Sequence, residues 1–230
     1  FSSGTENTTP GSLKNRYTRE IKKQSDLHTF VSSLSNAGKQ FVYRKKNQTD
    51  IIAGFPWYDT YTRQTLISLP GLALATKDNS LYSEVLNTYK LYFKDGLFPD
   101  SICSEMPLYH SADAPLWFIW AVQNYTKTKR SPRGFWLNYS STIKKILNSY
   151  KESRWGYIGT TKKGLIYADK KNTALTWMDS YVDGEPADIR SGLAVEINAL
   201  WYNAISFALE MARLSKDKNF VLQWADMPEK

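Results

Sequence analysis

Apolar side chains recur at three-and-four spacing through most of the chain, which predicts a mainly helical protein. The pattern is clearest from Val195 to Leu214. An earlier helix is predicted over about Leu13 to Ser35, where Tyr17, Ile21, Leu27, Phe30, Val31 and Leu34 line up. Leu81 to Lys94 carries Tyr82, Val85, Leu86, Tyr89 and Tyr92 or Phe93 on one side and closes on Asp95-Gly96, a helix-stop pair. Tyr109 to Tyr125 opens another helix, with Ser111 as N-cap and Pro115 tolerated in the first turn. Phe135 to Lys151 and Asp217 to Trp224 add two more. Thr65 to Leu74 begins a helix too apolar on all sides for a surface position, so it should line a core, with Pro70 kinking or breaking it.

Between the helices, Gln40 to Arg44 and Asp50 to Ala53 flank the turn-prone KKNQT and read as a small hairpin. Leu97 to Leu108 holds two prolines and reads as an irregular loop. The non-helical stretch Arg154 to Tyr167 brings Trp155, Tyr157 and Tyr167 as candidates for a pocket wall. The opening FSSGTENTTP is rich in Ser, Thr and Gly and reads as a disordered lead-in.

Composition narrows the function classes. With 230 residues and 42% hydrophobic content, the chain is long enough to bury a sizeable core as one domain. The formal net charge is +8, but Lys and Arg scatter, clustering only at Lys22 to Lys23, Arg44 to Lys46, Lys127 to Arg133 and Lys162 to Lys171. A nucleic-acid surface needs them on one face, so a solvated basic surface is the stronger reading and no nucleic-acid partner is expected. No apolar run is long enough to span a membrane. Cys103 stands alone and cannot form an internal disulfide, so the fold does not depend on an oxidising compartment. With no histidine close by in sequence, it reads as an inert thiol. His110 reads as a loop residue without metal-ligand partners, and no metal or cofactor is expected. A chain that begins at Phe1 rather than Met is expected to be cut from something longer.

Candidate chemistry concentrates in LTWMDSYVDGEPADIRSGLAVEINALWYNA, Leu175 to Ala204. Trp177 stands two residues from Asp179, a polar turn follows, and the next helix carries Glu196 in its first turn. A carboxylate beside an indole matches a sugar, whose CH faces stack on aromatics and whose hydroxyls need ionic or amide partners. Taken alone, an Asp at such a turn is more often a surface loop residue. A second segment, AGFPWYDTYTRQTLISLPGLAL, gathers Trp57, Tyr58 and Tyr61 in a loop ahead of the Thr65 helix. A third, Asp113 to Phe118, begins a helix with a carboxylate that the helix dipole alone would explain equally well.

These three segments resemble the amylo-α-1,6-glucosidase domain of glycogen debranching enzymes. Members of that family carry stretches similar to Thr176 to Asp179, Arg190 to Gly192 and Val195 to Ala204. They also carry a Pro-Trp-aromatic segment similar to the one here, which keeps Trp57, Arg63, Thr65 and the Leu69 to Leu72 run, and an Asp-Ala-Pro-Leu-Trp-Phe like Asp113 to Phe118. The resemblance implies an all-α fold, an α/α toroid of the (α/α)6 six-hairpin glycosidase type. About seven helices are readable against the twelve of a full barrel, so the chain is expected to hold its first half. The implied layout is a disordered lead-in over 1–12, an N-terminal helix and hairpin over 13–54, and a partial toroid carrying the sugar site over 55–230.

The resemblance further implies a glycoside hydrolase that cleaves α-1,6-glucosidic branch points of glycogen or related α-glucans by an inverting mechanism. Such a mechanism needs a carboxylic acid and a carboxylate base about 6.5 to 9.5 Å apart. Asp179 matches the acid position, and burial beside Trp177 would keep it protonated. Trp57, Arg63, Asp113, Trp117, Trp177, Arg190 and Glu196 are the substrate-binding residues implied. The family's base is a Glu far downstream, so the chain by itself is expected to be inactive, with the rest of its parent chain as partner and an α-glucan or branched oligosaccharide as substrate. Glu196 is the local alternative carboxylate, although it matches a sugar-lining position. The sequence departs at Gln64, where the family has an Asp, and at Asp59 to Thr62, where Gly-Asp-Trp-Gly is common. An amide lacks the charge that makes carboxylate hydrogen bonds roughly twice as strong. Two other readings therefore stay open: a non-catalytic α-glucan-binding module, and another exo-glucosidase or a glycoside phosphorylase of the same toroidal group. A cytoplasmic location is expected.

Overall fold

The computed structural model describes residues 9–23, 29–54, 57–129, 131–187 and 190–229. The chain divides into two units, residues 1–42 and 43–230. The first holds α1 (Pro10–Lys23) and α2 (Phe30–Lys39). Residues 10–12, at the end of the expected lead-in, form the first turn of α1, where Thr9 Oγ1 accepts from the Ser12 amide at 3.3 Å. Residues 1–8 of that lead-in lie outside the described residues.

The single helix expected over 13–35 is two helices. Thr29 takes an extended conformation and its hydroxyl accepts from the Ser32 amide at 3.1 Å, so it starts α2 as an N-cap. A cap residue lies outside the helix by construction, and the apolar spacing that runs across it hides the interruption. Leu27, one of the residues of that spacing, lies outside the described residues.

The hairpin of β1 (Val42–Lys45) and β2 (Gln48–Ile51) turns at Lys46, whose φ is 53°. β2 is tied to the helices by Asp50, which is fully buried. Its carboxyl accepts from Thr65 at 2.6 Å, from the Tyr89 hydroxyl at 3.0 Å and from the Ile51 amide at 2.8 Å. Burial pushes the Asp50 carboxyl above its usual range, and these hydrogen bonds offset part of the rise.

α3 (Thr62–Leu69) continues into a π-helical turn, Pro70–Leu74, in which the Ala75 amide reaches back to the Pro70 carbonyl at 3.1 Å. Proline cannot donate to the α-helical ladder and its ring crowds the preceding turn. The expected kink or break is thus met by local widening, one of the forms a disrupted helix takes. Leu66, Leu69 and Ala73 are buried while Ile67 is 41% exposed, so this segment presents one face to the core rather than being enclosed on all sides.

α4 (Asn79–Tyr92) is capped by Asp78, which accepts from the Leu81 amide at 2.9 Å. It ends before a tight turn with Asp95 at φ 50° and Gly96 at φ 91°. A Cβ on Gly96 would collide with Ser149 and Trp155, so the turn needs glycine twice over. α5 (Ala114–Thr126), α6 (Pro132–Lys151), α7 (Val195–Leu214) and α8 (Lys218–Trp224) complete the helices, and α5 packs against both α3 and α7. Phe98, Phe118, Ile119, Tyr150, Ile197, Trp201 and Trp224 fill the core between them. Tyr150 stacks on Trp201 with ring centroids 5.8 Å apart.

Two more hairpins lie between α6 and α7. β3 (Ile158–Thr160) pairs antiparallel with β4 (Ile166–Ala168), Gly159 opposite Tyr167. α7 holds this hairpin down, because Asn198 accepts from the Ile166 amide at 2.7 Å and Trp201 donates to the Gly164 carbonyl at 3.0 Å. β5 (Tyr181–Val182) pairs with β6 (Glu185–Pro186) across Asp183 and Gly184, both at positive φ. Gly192, at φ 87°, bridges Ala168 through two hydrogen bonds of 2.9 and 2.8 Å and sets the entry to α7.

Candidate active site

Arg63, in the first turn of α3, is the hub of the site. Its Nε donates to Asp113 Oδ2 at 2.7 Å, its Nη1 to Asp179 Oδ2 at 2.6 Å, and its Nη2 to Ser111 Oγ at 3.2 Å. Ser111 in turn donates to Asp113 Oδ1 at 2.7 Å. Burial pulls the Arg63 titration down, but the charge and hydrogen bonds of Asp113 and Asp179 raise it overall.

Asp113 occupies the N-cap position of α5 yet makes no side-chain cap bond. It is 2% exposed, with both oxygens committed to Arg63 and Ser111. Its position at the head of α5 fits the helix-dipole reading, and it reaches the cavity only through Arg63, since it is not part of the lining itself. The backbone beside it is fixed by the Ala112 amide, which donates to Leu175 at 2.7 Å, and by the Tyr150 hydroxyl, which donates to Ala112 at 2.8 Å. These bonds bring the Asp179 segment alongside the head of α5.

Arg63 and Asp179 open on a cavity of about 540 Å³, within the size range of small-ligand sites. Tyr58, Tyr61, Gln64, Asp100, His110 and Tyr181 also line it. Asp179 keeps 48% of its side chain exposed, so one face of the carboxylate meets the cavity. The burial beside Trp177 expected of it is not found, because the Trp177 indole is itself 53% exposed and turns to Glu196 while Asp179 pairs with Arg63.

Trp177, Arg190 and Glu196 form a second cluster outside the cavity lining. Glu196 Oε1 accepts from Trp177 Nε1 at 3.1 Å and from Arg190 Nε, and Oε2 accepts from Arg190 Nη2 at 2.8 Å. Hydrogen bonding by Arg190 holds the Glu196 carboxyl below its usual range. A carboxylate pinned this way is poorly placed to activate water.

The seven predicted binding residues thus do not all meet in one place. Arg63 reaches the cavity and Asp113 supports it from below. Trp57 is 85% exposed and off the lining, because the turn closed by the Tyr58 amide on Gly54 at 2.8 Å brings Tyr58 to the cavity instead. Trp117 packs edge-on against Trp120 at 5.4 Å rather than lining the cavity. Trp155 likewise packs on Tyr150, and neither it nor Tyr157 nor Tyr167 is part of the wall.

Asp100 and His110 are the residues that motif reading missed. His110 Nδ1 lies 3.2 Å from Asp100 Oδ2, and both line the cavity. Burial raises the Asp100 carboxyl, Arg63 pulls it down, and Asp179 and Asp113 push it up again, leaving it at about 7. His110 is lowered by burial and then by the charges of Lys170 and Arg63. The available signal was Asp100 in LFPDSIC, a lone carboxylate in an apolar loop with no helix to cap. Among the described residues no group of three or more His, Cys, Asp or Glu is placed to hold a metal ion. Among them too, no helix is long and apolar enough to cross a membrane.

Fold and site define a helical domain with a sugar-sized cavity lined by carboxylates, a guanidinium and tyrosines, a layout compatible with a helical glycosidase. A profile described as amylo-alpha-1,6-glucosidase matches residues 36–229, and the chain belongs to that family. The chain is also 26% identical to the glycogen debranching enzyme of Saccharomyces cerevisiae over 252 aligned positions, which cover 79% of this chain and 16% of that protein. The chain therefore spans about one sixth of the length of this curated relative.

Proposed function

We propose that this chain is part of the glucosidase domain of a glycogen-debranching enzyme and forms one wall of a site that cleaves α-1,6-glucosidic branch points. The observation that carries the proposal is Asp179, held at 2.6 Å by Arg63 with its open side toward the cavity. In this reading Asp179 is the general acid of an inverting hydrolysis, protonating the leaving glycosidic oxygen while a second carboxylate activates water from the opposite face. Arg63 fixes its position, and Tyr58, Tyr61 and Tyr181 offer ring faces and hydroxyls to the sugar. Glu196 is tied to Arg190 and Trp177 off the cavity lining, which favours a base supplied by another part of the parent chain. The helices are then the first half of an α/α toroid of six-hairpin type, completed by that missing part. We place the enzyme in the cytoplasm, with α-glucan as substrate and no nucleic acid or membrane as partner.

A second reading, a non-catalytic α-glucan-binding module, is favoured by Gln64, an amide on the cavity wall where the family motif has a carboxylate. Two experiments separate the readings. Isothermal titration of the chain with maltooligosaccharides tests for sugar binding at all, and absence of heat would count against both. Extending the chain toward the full length of its relative and assaying a branched limit dextrin separates enzyme from module. The enzyme reading expects release of glucose, and binding without release would establish the module.

A further inference from the structure

Asp100 differs from Asp179, the other carboxylate lining the cavity, in that among the described residues no Lys or Arg is paired with it. Its backbone is locked on both sides, the amide donating to Leu108 and the carbonyl accepting from the Thr62 amide, each at 2.8 Å. The side chain is thereby projected into the cavity from a fixed base at the head of α3. One oxygen stands 3.2 Å from His110 Nδ1, and among the described residues nothing donates to the other. We propose that Asp100 and His110 share one proton and that this pair is a sugar-binding element, which tightens the hold of the cavity on a sugar as pH rises. This deepens the glucan reading given above and rests on it.

The charges that face the pair come from every neighbouring element. Arg63 projects from α3, Asp113 from the head of α5, Asp179 from the segment before β5, Lys170 from the loop after β4, and Tyr157 from the stretch before β3. Burial raises the Asp100 carboxyl most, Arg63 pulls it down, and Asp179 and Asp113, both paired with Arg63, push it up again. Asp100 therefore keeps its proton up to about 7, while burial and then the charges of Lys170 and Arg63 lower His110 from its usual range. Below that point the Asp100 hydroxyl donates to His110 Nδ1. Above it the carboxylate accepts from His110 on one oxygen and is open to a sugar hydroxyl on the other. Hydrogen bonds to an ionised acceptor are roughly twice as strong as neutral ones, which corresponds to about a tenfold change in affinity.

The test is isothermal titration of the chain with maltohexaose at pH 5.5, 7.0 and 8.5, for the wild type and Asp100→Asn. A carbon-13 NMR titration of the Asp100 carboxyl is run beside it. The wild type is expected to bind about tenfold more tightly at the highest pH than at the lowest, with a midpoint near that of the carboxyl. Asp100→Asn, nearly the same shape, is expected to bind with an affinity flat in pH. Wild-type affinity that is flat, a pH response that persists in Asp100→Asn, or an Asp100 carboxyl that titrates near 4 would each overturn this binding role and leave the glucan reading intact. No binding by the wild type at any pH would overturn the glucan reading, and this inference with it.

Discussion

Replacing Arg63 with Met removes the cation on which the two carboxylates of the site converge. Met keeps much of the aliphatic length, so the loss is mainly of charge and hydrogen bonds. Asp113, at 2% exposure, is then left with Ser111 as its partner, while the half-exposed Asp179 turns to water. Breaking a buried ion pair from one side costs about 3 to 5 kcal/mol, because the remaining charge is uncompensated. For a chain of this size each kcal/mol moves the melting temperature by about 2 to 4 °C, so Arg63→Met is expected to melt roughly 6 to 20 °C below the wild type. The double variant Arg63→Met with Asp113→Asn removes the stranded charge and is expected to regain a substantial part of that loss. Urea denaturation of the four proteins of this cycle, followed by near-ultraviolet circular dichroism, reads the coupling. A loss below about 1 kcal/mol in Arg63→Met, or a double variant no more stable than the single one, would refute the reasoning, since the pair would then behave like a surface bridge.

Two further outcomes are expected. Burial raises the Asp50 carboxyl above its ordinary 3.8. The fold therefore binds that proton more tightly than the unfolded chain, and the stability it contributes is present in acid and lost as pH rises through the folded value. Asp50→Asn should flatten that part of the stability profile in urea titrations run upward in pH from below the ordinary 3.8, and an unchanged slope would contradict the assignment. The chain is also expected to self-associate and bind a hydrophobic dye, because Val195 is 76% and Leu222 82% exposed and the half toroid proposed above would leave inward faces uncovered. Analytical ultracentrifugation showing a dye-silent monomer would argue against the half-barrel.

Where one physical signal dominates, the sequence was readable. α7 falls on Val195–Leu214 as its periodicity predicts, and the Asp183-Gly184 pair makes the hairpin turn that Asp and Gly favour. The interruption before α2 was not readable, because Thr29 acts through hydrogen bonds with Ser32 that leave no mark on apolar spacing. The helix predicted from Thr65 begins instead at Thr62, whose amide donates across the chain to Asp100. A partner so distant in sequence carries no local signal. The site divides in the same way. Arg63 and Asp179 stood in recognisable motifs, whereas Asp100 and His110 became site residues only once the loop over 97–108 folded against α3. Trp57 and Tyr58 show the converse limit, since a motif indicates that an aromatic is near a site but not which of two neighbours faces it.

In the function proposed above, Asp179 is the proton donor of a debranching glucosidase. The most direct measurement is reducing-sugar release from a branched limit dextrin by the protein extended to full length, wild type against Asp179→Asn, with binding measured alongside. An amide keeps the size of the side chain and can still accept from Arg63, but it cannot deliver the proton. Turnover is expected to fall by about 10² to 10⁴ with binding little changed. Wild-type turnover in Asp179→Asn would contradict the account and place the acid elsewhere in the protein.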